Sequence, residues 1–355
     1  MSRPSPLDIQ ELVDRCIDCL AGSPSDLLTC ALVAHAWVYA AQSNLLRSPH
    51  TTNRRLGYTG TASLPEFYDT LLRYPHFARH VQDLLVASYE RVPTELLEKL
   101  CHLSFTRLER LSVVTTHYLL PEASRRLLSL PTLRYLKILV FNRSCSTFAP
   151  VWKYCSPTIQ HLSMRGMDIS VSDHAFPILP GIQPIGLQSL WLDVIAGLDT
   201  LRNLALFPFD LSSIQALAIT HISFKAHAIL STMPLQILML DLTQGGVENL
   251  DLSLLPHLTT LRICFGPRFF TSSITTLATI VLPTTALMEL DLALSSLPLS
   301  PPPIVEVIRS RDRMNFKVSE FPILSSKNML HVCPNGSLDF WTGERVWWQG
   351  VIEKL

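Results

Sequence analysis

Charge is scarce in this sequence. Charged residues occupy 16% of the 355 positions, well below the roughly 25% of an ordinary soluble domain. What charge there is cancels, 29 basic side chains against 29 acidic ones. Neutralising a phosphate backbone needs clustered positive charge, so no nucleic-acid partner is expected. Glycine is also sparse, with 13 residues, which limits the loops that cradle phosphates. There is no Gly-x-Ser-x-Gly elbow, phosphate-binding glycine loop, His-Glu-x-x-His or kinase signature. The histidines are scattered, and His161 and His221 read as surface or satisfied core residues rather than bases. The expectation is a protein that is not an enzyme and needs no cofactor.

Long apolar runs are missing as well. The best candidate, residues 276–299, is interrupted by Pro283, Glu289 and Asp291, so no membrane span is expected. The first sixteen residues carry acids where a signal peptide has its apolar core, which points to a cytoplasmic or nuclear chain. The cysteines, at 16, 19, 30, 101, 145, 155, 264 and 333, show no framework spacing and read as reduced, mostly buried thiols. Cys16 and Cys19 have the spacing of half a zinc site, but no second pair follows and they lie mid-helix, so no metal is expected.

Apolar residues, by contrast, reach 48%, enough for a large core and for some apolar surface left to a partner. Residues 1–49 have a helical pattern. Ile9, Leu12, Cys16 and Leu20 fall on one face, with Ile17 beside them. Ser23-Pro24 supplies an N-cap and a first-turn proline, with Asp26 complementing the helix dipole. Leu27, Leu28, Ala31 and Leu32 continue one face, and Trp37, Ala41 and Leu45 begin a further helical piece. So small a domain rarely holds a core alone. Residues 50–103 read as a bridge: a polar loop, a helix broken near Pro75, a first strand near Val81, and another helix.

Residues 104–300 repeat. The pattern leucine-x-x-leucine-x-apolar starts at Leu108, Leu133, Ile159, Leu187, Ile214, Leu235, Leu258 and Leu287. These spacings, roughly 21 to 29 residues, lie in the leucine-rich-repeat range. Further matches at Leu201 and Val247 blur the middle register. In each copy the first, fourth and sixth residues would point into a stack of leucines that no copy can bury alone. Residues 301–355 open on Pro301-Pro302-Pro303 and hold Trp341, Trp347 and Trp348, which read as a cap on the last repeat.

The sequence resembles an F-box protein with C-terminal leucine-rich repeats. The resemblance rests on Glu11-Leu12-Val13 with Ile17 and Leu20, and on Asp26 to Trp37, where Ala31, Leu32, Val33 and Trp37 match the family pattern in order and spacing. It implies an α/β chain: a small helical F-box-like domain, then a leucine-rich-repeat solenoid, a horseshoe of the ribonuclease-inhibitor kind. It also implies a substrate-recognition subunit of an SCF-type (cullin–RING) ubiquitin ligase, docked on a Skp-type adaptor and holding an unknown target protein. Leu12, Leu20, Leu27, Leu28, Leu32, Val33 and Trp37 are the implied adaptor contacts, with about half of them expected to serve as internal core instead. The alternative is a repeat scaffold with a degenerate F-box and no ubiquitin-ligase role.

A target surface can be read from the copies themselves. Third and fifth residues of each strand face away from the leucine stack, toward the concave side where solenoids bind. Among them Trp191, Ile237 and Met239 are expected as an exposed apolar anchor, with Lys137, His161 and Arg262 along the same stripe. On this reading, replacing Trp191 and Met239 would abolish target capture without unfolding the chain.

Overall fold

Each of the eight leucine motifs becomes a strand that begins at its third residue. In the computed structural model the described residues are 10–21, 23–47, 63–88, 94–115, 121–144, 152–168, 184–194, 209–219, 230–242, 255–265, 289–294 and 330–333. The chain is mixed α/β and divides into two compact units. The first comprises Met1–Phe141 with Pro150–Ile159, the second Asn142–Ala149 with Gln160–Leu355.

The first unit opens with three helices, α1 (Gln10–Asp18), α2 (Pro24–Val33) and α3 (His35–Arg47). Ser23 stands at the N-cap of α2 with Pro24 at its first turn, as the sequence predicts. An extended Ala34 separates α2 from α3. Val13, Ile17, Leu27, Ala40 and Ala41 form the buried core, and Leu20, Cys30, Ala31, Trp37 and Leu45 pack against it. The buried face of α1 therefore lies one position from the expected one. Val13 and Ile17, at i and i+4, turn inward, while Leu12 and Cys16 face out.

Helix α3 is bonded at its C-terminal end to Gln82. The Gln82 amide donates to the Arg47 carbonyl (3.1 Å) and Arg47 Nε donates to Gln82 Oε1 (2.6 Å). These bonds occupy a carbonyl that the helix end leaves open. Helix α4 (Ser63–Arg73) and a 3-10 helix (Pro75–His80) lead into β1 (Asp83–Ser88), with the break at Pro75 where the sequence places it. Tyr68 on α4 is fully buried, and its hydroxyl donates to the Leu85 carbonyl of β1 (2.6 Å). Helix α5 (Thr94–Cys101), β2 (Arg110–Thr115), α6 (Pro121–Leu128) and β3 (Tyr135–Ser144) complete a three-stranded parallel sheet, β1-β2-β3.

The second unit holds a seven-stranded parallel sheet. Its order is β4 (His161–Asp168), β6 (Ser189–Val194), β8 (Ala216–Ile219), β9 (Ile237–Leu242), β10 (Thr260–Phe265), β11 (Glu289–Leu294), β12 (Leu330–Cys333). β5 (Ile185–Gly186) and β7 (Phe209–Asp210) form a small separate pair. β12 lies in the segment expected only to cap the last repeat. The motif matches at Leu201 and Val247, and the three tail tryptophans, fall outside the described residues.

A common bonding scheme stacks the copies. The carbonyl of the second residue in one copy accepts the amides of the second and third residues in the next. Gln188 O takes Gln215 N and Ala216 N (2.9 and 3.1 Å), and Gln215 O takes Gln236 N and Ile237 N (2.8 and 3.0 Å). Hydroxyls reinforce it. Thr132, Thr158 and Ser213, each just ahead of a motif, donate to the first-residue carbonyls of the preceding copies, Leu108, Leu133 and Leu187 (2.7, 2.8 and 2.9 Å). First, fourth and sixth residues are buried in every copy from Leu108 to Leu235. Each such side chain contributes about 1.5–3 kcal/mol by leaving water, which offsets the entropy of ordering the strands.

Three titrating groups, His80, Cys101 and Cys155, give tests of this packing. His80 is buried with the Tyr39 ring edge-on at 4.9 Å. Arg79 Nε donates to its Nε2 (3.2 Å), so the proton is assigned to Nδ1, which is buried with no hydrogen-bond partner among the described residues. Burial, then the charges of Arg79 and Arg107 and the nearby His76, hold the His80 pKa below its ordinary 6.5. The unfolded chain thus takes up this proton more readily than the folded one. The stability of the neutral ring is complete above pH 6.5 and falls as the pH drops through the window below it. Urea midpoints measured on either side of that window are expected to fall further in wild type than in His80→Gln. Equal losses would show that His80 carries no such linkage.

Among the five cysteines with described side chains, one is buried, where the sequence leads to mostly buried thiols. Cys16 and Cys19 are exposed, Cys30 and Cys155 are partly buried, and Cys101 is buried. Burial, with Glu98 nearby, pushes the Cys101 thiol up to about 12, and burial does the same to Cys155, to about 12. The thiolate is the reacting form. Alkylation of the folded chain followed by peptide mapping is therefore expected to mark Cys16 and Cys19, and to reach Cys101 and Cys155 only after unfolding.

Candidate functional site

The adaptor contacts suggested by the resemblance divide into two sets. Leu27 is fully buried, and Leu20 and Trp37 pack against the helical core. The other four face out: Leu12 (42% exposed), Leu28 (57%), Leu32 (88%) and Val33 (62%). Leu28 and Leu32 stand one turn apart, so they lie on one face of α2, with Val33 adjacent. The helix places apolar residues on both sides. Its inner side feeds Leu27, Cys30 and Ala31 to the core, and its outer side has three large side chains left over.

Polar bonds tie the helices of this small frame together. Gln10 Nε2 donates to the Ala36 carbonyl (3.1 Å) and Asn44 Nδ2 donates to Asp18 Oδ1 (2.8 Å), joining both ends of α1 to α3. Exposed leucines and a valine gathered on so small a frame are the signature of a surface that meets something. Cys16 and Cys19 are exposed on α1, and among the described residues no group of three or more possible ligands gathers to hold a metal. No helix among the described residues is long and apolar enough to cross a membrane.

The expected target stripe is real as a register but not as a surface. In the second unit one row runs His161, Ser189, Ala216, Ile237, Thr260, and the next runs Ser163, Trp191, Ala218, Met239, Arg262. Trp191 and Met239 are thus separated by Ala218, and Arg262 is the register neighbour of Met239. Trp191 is 1% exposed, and Ile237, Met239 and His161 are buried with it. The anchor proposed from the sequence is therefore core. His161 Nδ1 and Ser189 Oγ bond to each other at 2.6 Å, which satisfies polar atoms that would otherwise be costly inside.

The physical reason is two-sided burial. From 161 to 164, 189 to 192, 216 to 219 and 237 to 240 every residue is buried. Parallel strands covered on both faces read as nearly continuous apolar runs, as "ALAI" and "ILML" do here.

In the first unit the equivalent positions are less fully covered, although Val114 and Leu139 farther along the same face are buried with Leu85 packed against them. Arg110 is exposed, while Asp83, Leu85, Ser112, Tyr135 and Lys137 are half-buried. Of the six expected target contacts, Lys137 alone has a described side chain that reaches solvent. Arg110 and Tyr135, register neighbours on β2 and β3, stack with the guanidinium carbon 4.8 Å from the ring centre.

Compared with known proteins, this chain matches no protein-family model and no curated protein sequence.

Proposed function

We propose that this chain is the substrate-recognition subunit of an SCF-type ubiquitin ligase. In this reading α1–α3 form an F-box-like domain that docks on a Skp-type adaptor, and the leucine-motif strands belong to a leucine-rich-repeat solenoid that holds a target protein. The observation that carries it is the outer face of α2. Leu28, Leu32 and Val33 are exposed on a helix whose other side supplies Leu27, Cys30 and Ala31 to the core, in the segment that carries the family resemblance. Burying these side chains against a partner would recover apolar contact that folding leaves unused. The apolar outer face of α2 is the docking surface in this reading, and the role it supports is recruitment.

Co-expression with a Skp-type adaptor tests the reading. The wild-type chain is expected to co-purify with the adaptor and, through it, with the cullin. A folded wild-type chain that never captures an adaptor would sink the ligase role and leave a repeat scaffold.

A further inference from the structure

Recruitment through α2 makes no use of the Cys16-x-x-Cys19 pair on α1. Both thiols are exposed, while Cys30 packs against the helical core. Val13 and Ile17 turn inward, so Leu12, Cys16 and Cys19, at i, i+4 and i+7, lie along the outer side of α1 and its last turn. The turn that joins the two thiols is helical, since the Cys19 amide donates to the Arg15 carbonyl (3.2 Å). Helical geometry sets Cα atoms three residues apart at about 5 Å, within the roughly 4.4–6.8 Å that disulfides span. The Cβ atoms of such a pair stand about 5–6 Å apart, against roughly 3.5–4.5 Å in a closed disulfide. The turn must therefore tighten on closure, and it lies where tightening is available. Past Asp18 the α-helix ends, and the amides of Leu20 and Ala21 donate three residues back, to the carbonyls of Ile17 and Asp18 (2.9 and 3.1 Å), in the tighter 3-10 pattern. A disulfide closed against such an adjustment is more easily reduced, the property of regulatory rather than structural bonds.

We propose that Cys16 and Cys19 form a reversible intramolecular disulfide by exchange with a small-molecule disulfide, which makes the outer side of α1 a redox-sensitive modification site. The thiolate of one cysteine attacks the small disulfide, forming a mixed disulfide and releasing the first small thiolate. The other cysteine, as thiolate, attacks the protein sulfur of that mixed bond and releases the second. Two cysteine thiols are thereby oxidised to one disulfide, the small disulfide is reduced to two thiols, and the two cysteine protons end on them. A neighbour held within one helical turn makes the second step intramolecular, which favours closure over a lasting mixed disulfide. The change reaches the helical frame. Ile17, which separates the two thiols in sequence, is buried in its core, and Asp18 accepts the Asn44 hydrogen bond to α3 (2.8 Å).

The test exposes the reduced full chain to oxidised glutathione and then alkylates the remaining thiols. Cleavage before Asp14, Asp18 and Asp26 puts Cys16, Cys19 and Cys30 on separate peptides for mass spectrometry. The Cys16 and Cys19 peptides are expected to be linked, in a chain that runs as a monomer on a non-reducing gel, and dithiothreitol should release them. Circular dichroism checks that the chain stays folded while the bond forms. Cys16→Ser is expected to trap Cys19 as the mixed disulfide with glutathione, several-fold more of it than wild type holds, and Cys19→Ser to do the same at Cys16. Folded wild type in which both thiols stay free, or in which each carries glutathione without a link, would overturn the proposal. So would a link found only between chains, or one that forms only when the oxidation is run in urea.

Discussion

Replacing Trp191 by Ala is expected to destabilise the second unit severely rather than to blunt a binding face. The indole is 1% exposed and stands on β6, where both faces of the strand are covered. Its register neighbours are Ser163 on β4 and Ala218 on β8, small residues that leave room for a large ring in the row. Removing it leaves a void that those short side chains cannot reach across, so the loss should be about 3–5 kcal/mol. Measured against a domain stability of roughly 5–15 kcal/mol, that is a large fraction. Met239→Ala should cost about 2–5 kcal/mol for the same reason. Trp191→Phe, which keeps an aromatic ring in the row, should cost less than Trp191→Ala. Urea denaturation followed by circular dichroism would decide the matter. A Trp191→Ala transition superimposable on that of wild type would mean that the ring is not part of the core, and the exposed-anchor reading would return.

That contrast shows how far the sequence could be read. Strand position was legible because the leucine motif encodes it directly: each strand opens two residues into its copy, from Arg110 in β2 to Glu289 in β11. The motif is less legible at β1, where Val81 stands in place of the leading leucine, and at β12. Sidedness was legible too, since the fourth and sixth residues go inward as a period of two requires, and the first, ahead of the strand, is buried as well. What the period does not say is whether the other side is covered. Alternation names two faces, and only the chemistry of the second face tells water from core. Ala216, Ala218, Ile237 and Met239 on that face argued for burial, whereas Arg110, Tyr135 and Lys137 on the equivalent face of the first unit argued for solvent. On α1 the error was smaller: Leu12 and Val13 are adjacent and both apolar, so composition could not choose between them, and packing of Val13 with Ile17 against α3 did. On α2 the sequence listed the right apolar residues without separating core from surplus, because all lie within a helix that is apolar on more than one side.

Leu32→Asp is expected to abolish adaptor capture while leaving the fold intact, and Leu27→Ala to do the reverse to the fold. The two residues lie five positions apart on α2 and differ in almost every physical respect that matters. Leu32 is 88% exposed, so a carboxylate there stays in water and should change stability by no more than about 0.5 kcal/mol. Pressed into an apolar interface, the same carboxylate must shed its hydration with no partner, a cost of several kcal/mol. Loss of a residue at the centre of such a contact typically costs about 2 kcal/mol or more, near thirtyfold in affinity, so capture in a pull-down should disappear. Leu27 is fully buried between α1 and α3, and truncating it opens a cavity worth about 2–5 kcal/mol. Trp37→Ala should fall between the two, since its ring is partly buried against the core and partly open. Pairing adaptor capture with thermal melting separates these effects, because a docking residue moves the first measurement alone. If Leu32→Asp captured adaptor as well as wild type, the outer face of α2 would not be the docking surface, whatever else the chain binds.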